Sequence, residues 1–134
     1  MENLKETRRN QRFENFTKAF QNLKQAIDRI NELDDLGKEG LIQRFEYTFE
    51  LAWKLLKDHL ESEGLSVKSP RECLKTAFSS GIIDNGELWL EMLEDRNFMA
   101  HTYDETNFSI ALDNILNKYF TEIENLYEFF IKQQ

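Results

Sequence analysis

A chain of 134 residues has room for one ordinary domain. Its residues are 40% apolar and 31% charged, with seventeen Leu against a single Val, one Pro and five Gly, a composition that excludes a β-rich fold and points to an all-α one. The formal charge of −8, from 25 acidic and 17 basic residues, argues against sequence-independent adhesion to DNA or to an anionic membrane.

Five helices are predicted. The first spans about residues 9–34, where Phe13, Phe16, Phe20, Leu23, Ile27 and Ile30 recur at the 3-4 spacing that keeps one stripe on one face. Residues 1–8 are expected to fray, and Lys5, Arg8, Arg9 and Arg12 to be a solvated start or a nucleic-acid contact. Asp34 to Gly40 reads as a break. The second helix, about 41–63, carries Ile42, Phe45, Phe49, Ala52, Leu56 and Leu60, with Tyr47, Leu51, Leu55 and Trp53 beside them. So wide an apolar arc makes this helix either central or part of a subunit interface. Glu46 and Glu50 line one of its edges at i, i+4, within reach of Arg44 or Lys54. His59 is expected at a solvent edge.

Gly64 ends that helix. Ser69-Pro70-Arg71-Glu72 then has the residue order of a capping box with proline in the first turn, opening a short third helix that ends near Gly81. Cys73 lies within it as a small, unreactive hydrophobe. A single cysteine forms no internal disulfide, which suits a reducing cytoplasm. Asp84-Asn85-Gly86-Glu87 predicts a second capping box and a fourth helix, with Trp89, Met92, Leu93 and Met99 as its buried stripe. The fifth helix, about 107–132, uses Phe108, Leu112, Ile115, Tyr119, Leu126 and Phe130. These elements assemble as a single antiparallel helical bundle over residues 1–134. The opening residues lack the apolar core of a signal peptide, and no run approaches the roughly 18–20 residues of a membrane span, so a cytoplasmic protein is expected.

Several chemistries lack their residues. No glycine-rich phosphate loop occurs, His59 and His101 are not preceded by glutamate at i−3 as a bundle di-metal site requires, and one cysteine with two distant histidines makes no zinc site. One constellation remains, Arg96-Asn97-Phe98-Met99-Ala100-His101-Thr102-Tyr103 at the end of the fourth helix. Arg96 falls on the stripe of Trp89 and Met92, and a guanidinium there needs a partner. The structural explanation is an ion pair with Glu91, Glu94 or Asp95, or a position just past the edge of the core. The functional one is a site. His101 lies ~140° around a regular helix from Arg96, so the two converge only if the helix ends or distorts, or a second subunit completes the site.

Arg96 to Tyr103 match the R-x4-H-x-Y signature of HEPN domains. With QRFEYTFELAWKLLKDHL (43–60) and SPRECLKTAFSSGIID (69–84), the chain resembles, over about residues 10–130, the HEPN branch called nucleotidyltransferase substrate-binding proteins. The resemblance implies a homodimer paired with a minimal nucleotidyltransferase encoded nearby. That partner would use Mg and ATP, this chain needing no cofactor of its own. One implied function is the toxin of a two-gene toxin–antitoxin pair, a metal-independent endoribonuclease with Arg96, Asn97 and His101 as its site and Tyr103 as the residue that the partner modifies with AMP. The alternative is a non-catalytic subunit that positions a nucleotide or acceptor for the partner. Acidic surroundings favour the alternative, since seven acidic residues face Arg96 alone between Asp84 and Glu105. The complete motif favours the ribonuclease.

Overall fold

The first helix, α1 (Leu4–Asp28), begins earlier and ends earlier than its apolar stripe predicts. Here the protein is a computed structural model that describes residues 4–99 and 104–134, and the side chains among these except at 97–99. Phe16, Phe20 and Leu23 are buried as expected, joined by Ala19 and Ala26, while a 3-10 turn (Ile30–Glu32) takes the place of the helix's last turns. The predicted break at Asp34–Gly40 shrinks to the two residues before α2 (Asp35–Ser62). Its cause is Asp34, whose carboxylate accepts from the Gly37 amide at 2.8 Å and so starts the helix at once. Gly37 lets Leu33 pack over this first turn, since a Cβ at Gly37 would stand 3.0 Å from Leu33 Cδ2.

Helix α2 is the central element and packs against every other helix. Ile42, Phe45, Phe49, Ala52, Leu56 and Leu60 are all buried, together with Leu41 and Leu55, whereas Tyr47 is exposed. Fully burying a Phe or Leu side chain contributes about 1.5–3 kcal/mol, so this one stripe supplies much of the fold's apolar driving force. The only buried polar residue of the described core, Thr48, donates to the Arg44 carbonyl at 2.6 Å within α2, and its hydroxyl also lies 3.2 Å from the Ala19 carbonyl of α1.

Gly64 adopts φ +86°, the left-handed conformation that ends a helix without a Cβ penalty. Helix α3 (Pro70–Ser79) starts as the sequence predicts, with Ser69 Oγ accepting from the Glu72 amide at 3.1 Å. The Glu72 carboxylate reaches back to the Lys68 amide at 2.9 Å, one residue beyond the expected Ser69. Helix α4 (Gly86–Met99) is capped by Asn85, which accepts from the Leu88 amide at 3.1 Å, and not by Asp84 as predicted. The last rod comprises α5 (Glu105–Asn114), a π-helical turn (Ile115–Tyr119) and α6 (Phe120–Lys132). Its predicted residues Leu112, Ile115, Tyr119, Leu126 and Phe130 are buried, and Phe108 is half-buried. No described helix is long and apolar enough to cross a membrane.

His59 is more enclosed than a solvent edge. Its side chain is 16% exposed, lies edge-on to Phe129 and Phe130 at 5.5 and 5.7 Å, and places Nε2 3.1 Å from Glu63. The reason is tertiary, because the end of α6 folds its aromatic pair over the last turns of α2. Trp89 is core and Trp53 half-buried. Cys73 is fully buried, its Sγ 3.5 Å from the Trp53 carbonyl, and burial pushes the thiol up to about 12.

Candidate functional site at the end of helix α4

Arg96 lies in the last turn of α4 and faces α2. Its Nη1 donates to Glu50 Oε2, and its guanidinium carbon stands 5.6 Å from the centre of the Phe49 ring. The side chain remains 25% exposed. A carboxylate thus fixes one end of the guanidinium while an aromatic face desolvates one side, an arrangement suited to arginine's planar, delocalised charge. Glu50 also meets Lys54 at 3.9 Å, one of the two pairings that its i, i+4 position suggests. Arg44, the other, instead donates to the Asn22 carbonyl at 2.7 Å. Glu46, one turn before Glu50, is half-buried. Burial raises its pKa above the usual carboxylate range, and the nearby charge of Arg96 only partly offsets this.

The three carboxylates predicted to pair with Arg96 are all engaged elsewhere. Glu91 meets Lys118 at 3.7 Å and Glu94 meets Arg71 at 3.5 Å. Asp95 turns to a different side of α4, where Oδ2 accepts from the buried Tyr119 hydroxyl and from Asn114 Nδ2 at 3.3 Å. The physical reason is direction. Arg96 points to α2, whereas Asp95, one residue and about 100° away, points to the π-helical turn. Glu91 and Glu94 reach cations on neighbouring helices. The last turn of α4 is therefore anchored on both sides, by Glu50 on α2 and by Tyr119 on the final rod.

The family resemblance implies a site of Arg96, Asn97 and His101, with Tyr103 as the residue modified. Arg96 is described. The side chain of Asn97, and His101 and Tyr103 entire, lie outside the described residues. Sequence reasoning missed Glu50 as the partner of Arg96, and Asp95, Asn114 and Tyr119 as the second anchor. The available signal was the i, i+4 pair Glu46–Glu50 on the edge of a helix with an unusually wide apolar arc, a position more readily taken as solvated. Among the described residues, no group of three or more His, Cys, Asp or Glu side chains could hold a metal ion.

A small helical bundle whose fourth helix ends in an arginine followed by the histidine and tyrosine of R-x4-H-x-Y is a protein of the HEPN class, in its nucleotidyltransferase substrate-binding branch. The chain belongs to the family described as "Nucleotidyltransferase substrate binding protein like", which it matches over residues 11–132. It is 26% identical over 102 residues to a Haemophilus influenzae protein named "Probable ribonuclease HepT", spanning 65% of this chain and 70% of that one. A crystal structure of a protein from Thermus thermophilus superposes with a TM-score of 0.77 at 32% identity, covering 84% of this chain and 96% of the other. A second structure, from Haemophilus influenzae and described as revealing the fold of a substrate binding domain of a nucleotidyltransferase, gives a TM-score of 0.75 at 24% identity over 87% of this chain and 96% of that one, a likeness of fold.

Proposed function

We propose that this chain is the HEPN component of a two-gene pair with a minimal nucleotidyltransferase, a cytoplasmic endoribonuclease toxin that its partner silences by attaching AMP to Tyr103. The observation that carries this reading is the state of Arg96. It is the motif's arginine, held at the rim by Glu50 and Phe49, a quarter exposed and not sealed in the core. The similarity to a protein named as a probable ribonuclease supports it.

In this reaction a ribose 2′-hydroxyl oxygen attacks the adjacent phosphorus while the P–O5′ bond breaks, giving a 2′,3′-cyclic phosphate and a 5′-hydroxyl. His101, an imidazole that ordinarily titrates at about pH 6.5, takes the 2′-hydroxyl proton and returns one to the leaving oxygen. Arg96 stabilises the charge that builds on the phosphoryl oxygens, and Asn97 orients the phosphate. Two copies of the chain meet so that their motifs face a common groove. Silencing is a separate transfer. The Tyr103 phenol oxygen attacks the α-phosphorus of ATP, pyrophosphate leaves, and the phenol proton passes to a base of the partner enzyme. The added AMP blocks the site with bulk and negative charge.

A second reading has its own observation. Glu50 already occupies the guanidinium and Glu46 stands beside it, a setting that suits a non-catalytic subunit holding an acceptor for the partner enzyme. Expression of the chain alone, followed by intact-mass measurement after co-expression with the neighbouring nucleotidyltransferase, separates the two. The ribonuclease reading expects growth arrest that is lost in His101→Ala and relieved when the mass rises by whole AMP units, with no such rise in Tyr103→Phe. Arrest or RNA cleavage retained in full by His101→Ala would sink it. A stable complex with neither arrest nor added mass would establish the passive subunit.

A further inference from the structure

The start of α1 gathers Lys5, Arg8, Arg9 and Arg12 within eight residues of a chain whose net charge is −8. One of them has a structural task. Arg12 Nη1 lies 3.1 Å from Asp58 Oδ1 and 3.3 Å from the Lys54 carbonyl, pinning α1 to the last turns of α2. The other three line an open cleft of about 300 Å³ with Asp58, Glu61 and Ser62. Glu61 has its own cation, Lys57, at 3.8 Å. Each of the two cleft carboxylates thus has a cation outside the lining, Arg12 or Lys57, and although Arg8 also acts on Asp58, Lys5, Arg8 and Arg9 leave the cleft with an excess of positive charge.

Arg9 also borders a neighbouring cleft of about 210 Å³, between the start of α1 and the ends of α2 and α6. Its walls include Phe13, His59 and Phe130, with the side-chain amides of Asn10 and Gln133 at its edge and Glu6 on its rim. His59 is locked in place by the edges of two phenylalanines and by Glu63. Cations shared with a pocket of aromatic rings and amides match the chemistry of a planar base joined to a phosphate. Rings offer a π surface to any base, amides read its polar edge, and guanidinium and ammonium groups take the phosphate. A lipid headgroup or a bare anion has no use for the aromatic half, and an acidic peptide has little for it.

We infer that these adjoining clefts form a binding site for a nucleoside phosphate, its phosphate held by Lys5, Arg8 and Arg9 and its base against Phe13, His59 and Phe130. The site is separate from Arg96. Phe49, beneath Arg96, and Asp58, beside Arg12, are nine residues apart, ~180° around a regular helix and ~13 Å along it. The inference consequently stands whether or not Arg96 serves a ribonuclease. The ligand is either a free nucleotide or one unit of a single-stranded RNA.

Binding of ATP, AMP and a short oligoadenylate to the full-length His101→Ala chain, followed by titration calorimetry and by the His59 imidazole NMR signals, tests it. Saturable binding that shifts His59 and weakens about tenfold or more in Arg8→Ala/Arg9→Ala is the expected result. Lys5→Glu, at an exposed position, gives the same reading should the double variant fold poorly. Preference for ATP or AMP assigns the site to a free nucleotide, and preference for the oligomer assigns it to RNA. The inference is overturned if no probe saturates, if Lys5→Glu binds like the parent chain, or if polyglutamate shifts His59 as strongly as the nucleotides do.

Discussion

Replacing Tyr119 by Phe removes a single oxygen from a side chain that is 0% exposed, and leaves the ring against Phe45, 5.6 Å away, undisturbed. What is lost is the hydroxyl's hydrogen bond to Asp95. A bond to a charged acceptor contributes about 1.5–3 kcal/mol, and because Asp95 is only half-buried and keeps Asn114, about 1–2 kcal/mol is the expected cost at neutral pH. The pH dependence gives a second number. Burial, then the hydrogen bond to Asp95 and the charges of Asp95 and Glu91, raise the Tyr119 pKa well above its ordinary value. The folded protein therefore keeps this proton where the unfolded chain, titrating near 10, releases it. The contribution of Tyr119 is complete below about pH 10 and is lost above it at about 1.4 kcal/mol per pH unit. Urea denaturation of parent and variant should differ by about 1–2 kcal/mol at pH 7–9 and converge near pH 11. A neutral-pH difference under about 0.5 kcal/mol, or one that stays constant through pH 11, would refute the reasoning.

Four other substitutions or reactions test separate parts of the molecule. Glu50→Gln keeps an acceptor for Arg96 but removes its charge, and is expected to lower RNA cleavage about tenfold while changing stability by less than about 1 kcal/mol; unchanged cleavage would show that Glu50 does not position the arginine. Cys73, buried and with its thiol pushed up to about 12, should resist iodoacetamide at pH 8 in the folded protein and react once urea unfolds it, a contrast that rapid native labelling would remove. Gly40→Ala, inside α2 with nothing within 4 Å of the added Cβ, should stabilise by about 0.5–1 kcal/mol in thermal or urea melts. Gly64→Ala should destabilise by about 1 kcal/mol, since φ is +86° there; equal effects at the two glycines would contradict the backbone argument.

The sequence alone determined the helical class, the order of the helices and most of the core. Those depend on local propensity and on a 3-4 spacing that each stripe carries within itself, as in Ile42–Leu60, every member of which is buried. It also determined the family, because R-x4-H-x-Y and the segments around it are contiguous in the chain. Helix ends were less legible, since one side chain decides them. Asp34 turned a predicted break into the start of α2, and Asn85, not Asp84, capped α4. Only the tertiary structure decided who meets whom. The partner of Arg96 is Glu50, 46 residues earlier, and that of Asp95 is Tyr119, 24 residues later. Ion pairs such as these are chosen by how helices cross, and the nearest carboxylates in sequence, Glu91, Glu94 and Asp95, point about 100° or more away from the cation they were expected to serve.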